Sequence, residues 1–303
     1  MTRFAEPIFL GGLSHSGKTQ LRLALDEIPT LSFTRRTQLW DRILQRFGDL
    51  GDEGNLGRCL EAMGAISGVG ALEPDLEALR IEFSAGPPTY ERLICLFHQQ
   101  VAERRGKIRW GDQTKSIERY GSIILEAFPY ARMIHMVRDP RRLRDVRSRT
   151  TPRLRAALGS DTARWIASME AARANRARFG SRYLVIRYED LVADTEGTVR
   201  TVCGFIDEDV PESARDVISS IRFQSVGDSD SMSQSAARWD EGRPRSDDRF
   251  VTMHAADLLA EHGYRTAYGK MSLSESARFA VTWPARRASM AAWRSLDKRT
   301  RPS

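Results

Sequence analysis

Lysine is scarce in this chain. Of 47 lysines and arginines, only Lys18, Lys107, Lys115, Lys270 and Lys298 are lysines, so arginine carries nearly all the positive charge. Cysteine is scarcer still. Cys59, Cys95 and Cys203 are odd in number and far apart in apolar helical settings, which argues against a disulfide framework and for buried thiols in a reducing cytoplasm. The five histidines fall in no metal-ligand spacing, and no metal is expected. No apolar run approaches the ~18 residues of a membrane-spanning helix, and no basic-then-apolar leader opens the chain. No internal repeat is visible. A nucleic-acid partner needs a clustered basic face; here the arginines are spread along the chain, and none is expected. What is present is a chain of 303 residues, 41% apolar, enough for a sizeable core in one large or two small domains. Its net charge of +7 and pI near 9.6 favour anionic ligands.

The chain is organised around Pro7 to Leu25. Ile8 to Leu10 is apolar and long enough for a buried strand, Gly11 to Ser16 is small and polar, and from Gly17 a helical pattern runs through Leu21 and Leu25. A strand, a glycine loop and a helix turn backbone N–H groups toward one point, where the helix N-terminus adds partial positive charge. Lys18 supplies a full charge and Thr19 a hydroxyl, a combination suited to a phosphate or sulfonate. Gly12, Gly17, Lys18 and Thr19 also match the spacing G-x-x-x-x-G-K-[ST] of nucleotide-binding P-loops; the bland alternative is an ordinary strand-to-helix turn with a solvated lysine.

Beyond it, Leu31 to Phe33 reads as a second strand, and Arg35-Arg36 as the opening of a helix that carries Leu39, Trp40, Ile43, Leu44 and Phe47. Helical patterns follow at about 55–66, 72–83 and 88–105 with almost no strand signal. Strands are expected over 107–112, 131–137 and 183–186, with helices over 117–128, from 140 toward Ser148, and over 160–179, 195–205 and 211–221. This alternation predicts an α/β fold: a parallel β-sheet flanked by helices, P-loop-like, with a helical insertion at about 37–105. Residues 1–270 are expected as one domain and 271–303 as a basic C-terminal tail. That tail mixes Trp283 and Trp293 with several arginines. It either packs on the body or lies weakly on an anionic membrane surface, so the expected location is cytoplasmic or membrane-peripheral. Ser225 to Asp248 is polar and irregular, a lid or a plain loop.

Ligands of such folds sit at the carboxyl ends of the strands, where the loop, Asp112, Arg138 and Tyr188 fall. A P-loop alone leaves kinases, ATPases and sulfotransferases open. A nucleotide hydrolase needs Mg²⁺ held by an Asp at an apolar strand end. Here 133–137 ends in Arg138 and 184–186 in Arg187. Arginine binds no metal but grips a second phosphate with a bidentate fork.

Four blocks, Leu-Gly-Gly-Leu-Ser-His-Ser-Gly-Lys-Thr, Trp-Gly-Asp-Gln-Thr, Phe-Pro-Tyr-Ala-Arg-Met-Ile-His-Met-Val-Arg-Asp-Pro-Arg and Arg-Tyr-Leu-Val-Ile-Arg-Tyr-Glu-Asp-Leu-Val-Ala-Asp, occur in an order that resembles bacterial sulfotransferases using 3′-phosphoadenosine-5′-phosphosulfate (PAPS). Gly263-Tyr264 resembles that family's usual close. The resemblance implies that Ser16, Gly17, Lys18, Thr19 and Gln20 hold the 5′-phosphosulfate and that Arg138 grips the 3′-phosphate. Val146 stands where a helping serine is usual, which leaves Ser148 as the nearest hydroxyl. Tyr188 is implied at the adenine, or else is a core tyrosine. Asp139 and Pro140 read as helix-start signals. The implied reaction is in-line sulfuryl transfer to a hydroxyl or amine of a small-molecule, carbohydrate or glycolipid acceptor, with PAPS as donor and no metal. Lys18 and the loop N–H groups stabilise the departing oxygen, and Asp112 or His15 takes the acceptor proton. Asp112 read structurally is only a hydrogen-bond acceptor, and His15 only shapes the loop. Arg35 and Arg36 either face an acidic acceptor or are solvated. Two alternatives stand beside this reading: a P-loop small-molecule kinase using ATP and magnesium, and a binding protein that kept the fold.

Overall fold

The computed structural model describes residues 6–143, 158–210, 212, 218, 246–266 and 271–300. The helix expected at 211–221 (apart from 212 and 218), Ser148 and the polar stretch 225–245 lie outside them. Ser246 to Asp248, the end of that stretch, open a helix rather than continue a loop.

Five strands form one sheet in the order β2-β3-β1-β4-β5, with every pairing parallel. They are β1 (Ile8–Gly11), β2 (Leu31–Arg35), β3 (Arg109–Gln113), β4 (Arg132–Val137) and β5 (Tyr183–Arg187). Strands covered on both faces read as continuous apolar runs, and β1 and most of β4 are wholly buried. The two faces divide by alternation. Ile8 and Leu10 join Leu21 and Leu25 of α1 (Lys18–Asp26) in one core cluster. Phe9 points the other way, edge-on to Trp110 at 5.6 Å and to Trp40 at 5.9 Å.

The chain between β2 and β3 is helical: α2 (Leu39–Arg42), α3 (Glu53–Gly64), α4 (Ser67–Gly70), α5 (Leu76–Ser84) and α6 (Tyr90–Arg104). Three of these start on side-chain caps, with Asp52, Asp75 and Thr89 each accepting from an amide of the first turn, the usual way to satisfy first-turn donors. One expectation fails here. Arg35 does not open a helix. It extends β2, paired in register with Gln113. Arg36 and Gln38 then turn with φ of 60° and 52°, and Thr37 is tied to buried Asp112. A full-length parallel partner outcompetes the helical pattern, which survives only as the single turn α2.

After β3 come a 3₁₀ turn at Ile117–Tyr120, α7 (Gly121–Ala127), β4, α8 (Leu158–Phe179), β5, α9 (Tyr188–Ala193) and α10 (Thr195–Phe205). Two further helices, α11 (Ser246–Glu261) and α12 (Leu273–Thr300), complete the described chain. The C-terminal segment is thus one long helix lying against α8. Gly159 makes the approach feasible: a Cβ there would stand 1.9 Å from the carbonyl oxygen of Arg286. Buried Arg286 pairs with Asp247, and Trp283 stacks on His254 with centroids 5.3 Å apart.

Candidate functional site

The strand order changes direction at β1: the chain leaves it toward β2 on one side and returns through β4 on the other. In open α/β sheets the crevice at such a switch point is where ligands bind. Gly12 to Gly17 fill it. The loop lies so close to β4 that a Cβ on Gly12, at φ 119°, would meet the Met136 carbonyl oxygen at 2.2 Å.

Lys18 is 6% exposed, and its Nζ donates to the carbonyls of Gly12 and Leu13 at 2.6 Å each. Burial pulls its pKa down to about 8; Glu118 opposes that shift and Lys115 adds to it. The ammonium therefore still dominates at neutral pH. Gly17 caps α1 without any side-chain hydrogen bond, which leaves the first-turn amides of that helix as donors. Ser16 Oγ is buried and has no hydrogen-bond partner among the described residues. Thr19 is exposed and accepts from Gln113 Nε2 at 3.4 Å, and Gln20 is half-buried on the same turn.

Arg138, at the end of β4, reaches back to this loop. Its Nη1 donates to the His15 carbonyl at 2.9 Å. Its guanidinium lies 4.0 Å from the centroid of the Tyr188 ring, a cation–π distance, and that ring also lies against Gly17. Arg138 Nε is buried and has no hydrogen-bond partner among the described residues. Burial lowers its pKa, yet an arginine remains charged at neutral pH. Trp165 Nε1 donates to the Arg138 carbonyl at 3.0 Å. Glu189 accepts from the Asp139 amide at 3.1 Å and the Tyr264 hydroxyl at 3.0 Å, so the Gly263-Tyr264 close and the block containing Tyr188 brace one corner. Asp139 accepts from the Arg141 amide at 2.9 Å, as a helix-start residue does.

The two residues offered as bases are placed differently. His15 is exposed on the loop with φ 67°. Asp112 is fully buried on the insertion side of β3. It accepts from Thr114 at 2.9 Å and Thr37 at 3.1 Å, and it lies 3.8 Å from His98 Nε2. Burial pushes its pKa up to about 6. Lys18, Ser16, Gly17, Thr19, His15, Arg138 and Tyr188 therefore gather at one point; Asp112 does not open onto it.

Sequence reasoning missed Glu118 and Ser116. The Ser116 amide donates to the Gly12 carbonyl at 3.2 Å, and buried Glu118 accepts from the Gly12 amide at 2.9 Å. Glu118 reads in sequence as an acidic residue near a helix start, and nothing there signals that it turns inward.

A model of the sulfotransferase family matches residues 7–212. The sulfotransferase domain of the Synechococcus PCC 7002 olefin synthase is 20% identical, with 86% of this chain and 95% of that one covered and a TM-score of 0.55. The sulfotransferase domain from the curacin biosynthetic pathway is 15% identical, covering 86% and 99%, with a TM-score of 0.50. Sulfotransferase STF9 from Mycobacterium avium is 13% identical, covering 88% and 78%, also at 0.50. At such identities the likeness speaks for the fold. No curated protein matches the sequence.

Proposed function

The chain belongs to the sulfotransferase family, and from that premise we propose that it transfers the sulfuryl group of PAPS to a hydroxyl or amine of a small-molecule, carbohydrate or lipid acceptor. The observation that carries the reading is that Lys18 and Arg138, 120 positions apart in sequence, both close onto the 12–17 loop. Two cations at neighbouring strand ends suit a ligand with two anionic ends. The buried, unpartnered Ser16 Oγ and Arg138 Nε, with the uncapped first turn of α1, fit such a group.

When bound, such a donor supplies a sulfuryl group whose bond to phosphate breaks as the bond to the acceptor forms. Ser16, Gly17, Thr19 and Gln20 would hold the 5′ end through hydroxyl and amide donors. Lys18 would neutralise charge on the departing oxygen, a preorganised term worth ~3 kcal/mol. Arg138, stacked on Tyr188, would hold the 3′-phosphate, which puts Tyr188 behind the arginine and beside the nucleoside. His15, exposed on the loop, is the base proposed for the acceptor proton. Asp112 would act through Thr37 and Thr114, whose hydroxyls it orients. A kinase would want an acid where Arg138 stands.

The test is calorimetric. Adenosine 3′,5′-bisphosphate should bind in EDTA, and Lys18→Ala and Arg138→Ala should each bind at least tenfold more weakly, the loss expected for a charge-assisted contact. Wild-type affinity in both variants would end the proposal, and Mg²⁺-dependent release of ADP from ATP would favour a kinase. Incubating cell extract with the donor and searching for products ~80 Da heavier, one sulfuryl in place of a proton on the nucleophile, would identify the acceptor.

A further inference from the structure

Glu118 is 1% exposed. Its Oε2 accepts from the Gly12 amide at 2.9 Å, and Oε1 accepts from Ser168 Oγ at 2.5 Å. The only basic side chain within ion-pair distance of it among the described residues is His135, 3.8 Å away. Burial holds the His135 pKa near 4, so this imidazole is neutral at pH 7 and supplies no counter-charge. Its Nδ1 is engaged with the Tyr183 hydroxyl at 2.9 Å and its Nε2 with Ser168 Oγ at 3.1 Å. Burial would by itself raise the Glu118 pKa; His135 lowers it when charged, below its own pKa, the Ser168 hydroxyl and the Gly12 amide lower it at any pH, and the net shift is downward. The carboxylate is therefore ionised, buried and short of a permanent cation.

An uncompensated buried charge is costly. The compensating charge stands one residue away. Gly12 donates its N–H to Glu118 and accepts the Lys18 ammonium on its carbonyl at 2.6 Å. The same carbonyl accepts the Ser116 amide at 3.2 Å. The residues following β3 thus hold the first residue of the loop by both ends of its backbone. The charged and titratable groups that face Lys18 are Glu118 and Lys115 from the segment after β3 and His135 from β4. Of these only Glu118 is negative.

We propose that Glu118 is a positioning residue of the sulfotransfer site, supplying Lys18 with its counter-charge across the backbone of Gly12 and fixing the loop that would receive the donor. The second half of that statement rests on the function proposed above; the first does not. Glu118 touches no reacting atom. It acts through Gly12 and Lys18. Glu118→Gln is the discriminating variant, because the amide oxygen still accepts from Gly12 while the charge is gone.

The chain's five lysines make the test direct. Lysine labelled with ¹³C at Cε gives few resonances, and Lys18 is assigned by its loss in Lys18→Arg. In the ligand-free wild type the Lys18 resonance should titrate near pH 8, and in Glu118→Gln clearly lower. Glu118→Asp, which keeps the charge, should restore the wild-type titration in large part. For a Lys18 pKa lowered by one unit from about 8, binding of adenosine 3′,5′-bisphosphate to Glu118→Gln at pH 7.5 should fall about threefold, the loss of its charged fraction, and recover toward pH 6.5. An unchanged Lys18 titration in a folded Glu118→Gln protein overturns the proposal. If that variant does not fold, the reciprocal one decides: in Lys18→Met the ¹³C-labelled Glu118 carboxyl should titrate higher than in the wild type, since a coupling between two charges acts equally on both, and an unchanged Glu118 titration overturns the proposal equally. Failure of the wild type to bind the bisphosphate would refute the function proposed above and leave the Lys18 titration to decide on Glu118.

Discussion

Replacing Gly17 with alanine isolates how tightly the loop is held. Gly17 caps α1 at φ 94° and ψ 3°, a backbone conformation that costs an L-residue ~1–2 kcal/mol. The added methyl would also stand 2.4 Å from Tyr188 Cδ2 and 3.3 Å from Met136 Cε. The Tyr188 ring is poorly placed to yield, with Arg138 4.0 Å over its centroid and only 5% of the residue exposed. Overpacking of that kind adds ~1–3 kcal/mol. Together the two effects predict a loss of about 2–5 kcal/mol, a large share of the ~5–15 kcal/mol that a folded domain has in all. Guanidinium unfolding at equilibrium, read as midpoint and slope, measures it. The same substitution in a Tyr188→Ala background separates the causes. Removing the ring abolishes the overlap but leaves the backbone strain, so the cost there should shrink to ~1–2 kcal/mol. A loss within ~0.5 kcal/mol, typical of an unconstrained surface site, or an equal loss in both backgrounds, would refute the packing of Tyr188 against the loop.

The buried His98, with its pKa near 3, and His135, near 4, against an ordinary 6.5, stay neutral when folded but charge when unfolded, so each contributes stability present above pH 6.5 and lost as pH falls through the acid range. Asp112, raised from 3.8 to about 6, acts oppositely, its contribution being present below pH 4 and lost as pH rises through 6; Asp112→Asn should therefore steepen the acid-side loss of melting temperature between pH 4.5 and 6, and an unchanged slope would contradict the burial of this carboxyl. Burial pushes the thiols of Cys59, Cys95 and Cys203 up to about 12, so alkylation at pH 8 should be slow in the native protein and fast in denaturant; rapid native labelling of all three would count against their placement. Arg286→Ala withdraws the guanidinium from buried Asp247, with an expected loss of up to ~3–5 kcal/mol and faster proteolysis within α12, whereas Arg286→Met with Asp247→Leu should recover most of it; equal losses in the single and double variants would exclude the pair as the cause.

What the sequence makes legible is whatever rests on short-range pattern. β4 is a buried run, apolar but for Arg132 and His135, with nothing to compete with it. The helices of 53–104 carry their own caps at Asp52, Asp75 and Thr89. The loop announces itself through Gly12, Gly17 and Lys18, whose spacing is local. Arg138 follows from being the first residue after a strong strand. The misreading at Arg35 has the opposite origin: whether that residue continues a strand or starts a helix is decided by Gln113, 78 positions later, which pairs with it. No window around Arg35 contains that information.

The same limit explains why Glu118, and not Asp112, is the acid found against the loop. Both are acids just after or within a short segment following α6, six positions apart, and in a linear reading Asp112, at a strand end, is the better candidate for a group near the loop. Side-chain direction decides otherwise. Along β3, Trp110 and Asp112 share a face, and Trp110 is packed with Phe9 and His98 under the helical layer, so Asp112 is carried inward with it. Gln113, on the opposite face, is the residue that reaches Thr19. The chain then turns through Ser116, at φ 59°, which redirects the backbone so that the Ser116 amide and the Glu118 carboxylate meet Gly12 from opposite ends. An alternation of period two places Asp112; a single left-handed residue places Glu118. Ser116→Pro, which removes the amide donor and forbids that φ, should therefore weaken bisphosphate binding by more than the ~1 kcal/mol of one hydrogen bond, because it misdirects Glu118 as well; Ser116→Gly, which keeps the amide and tolerates the φ, should leave binding within a factor of two or three. Equal losses in the two variants would mean that the turn does not aim the carboxylate.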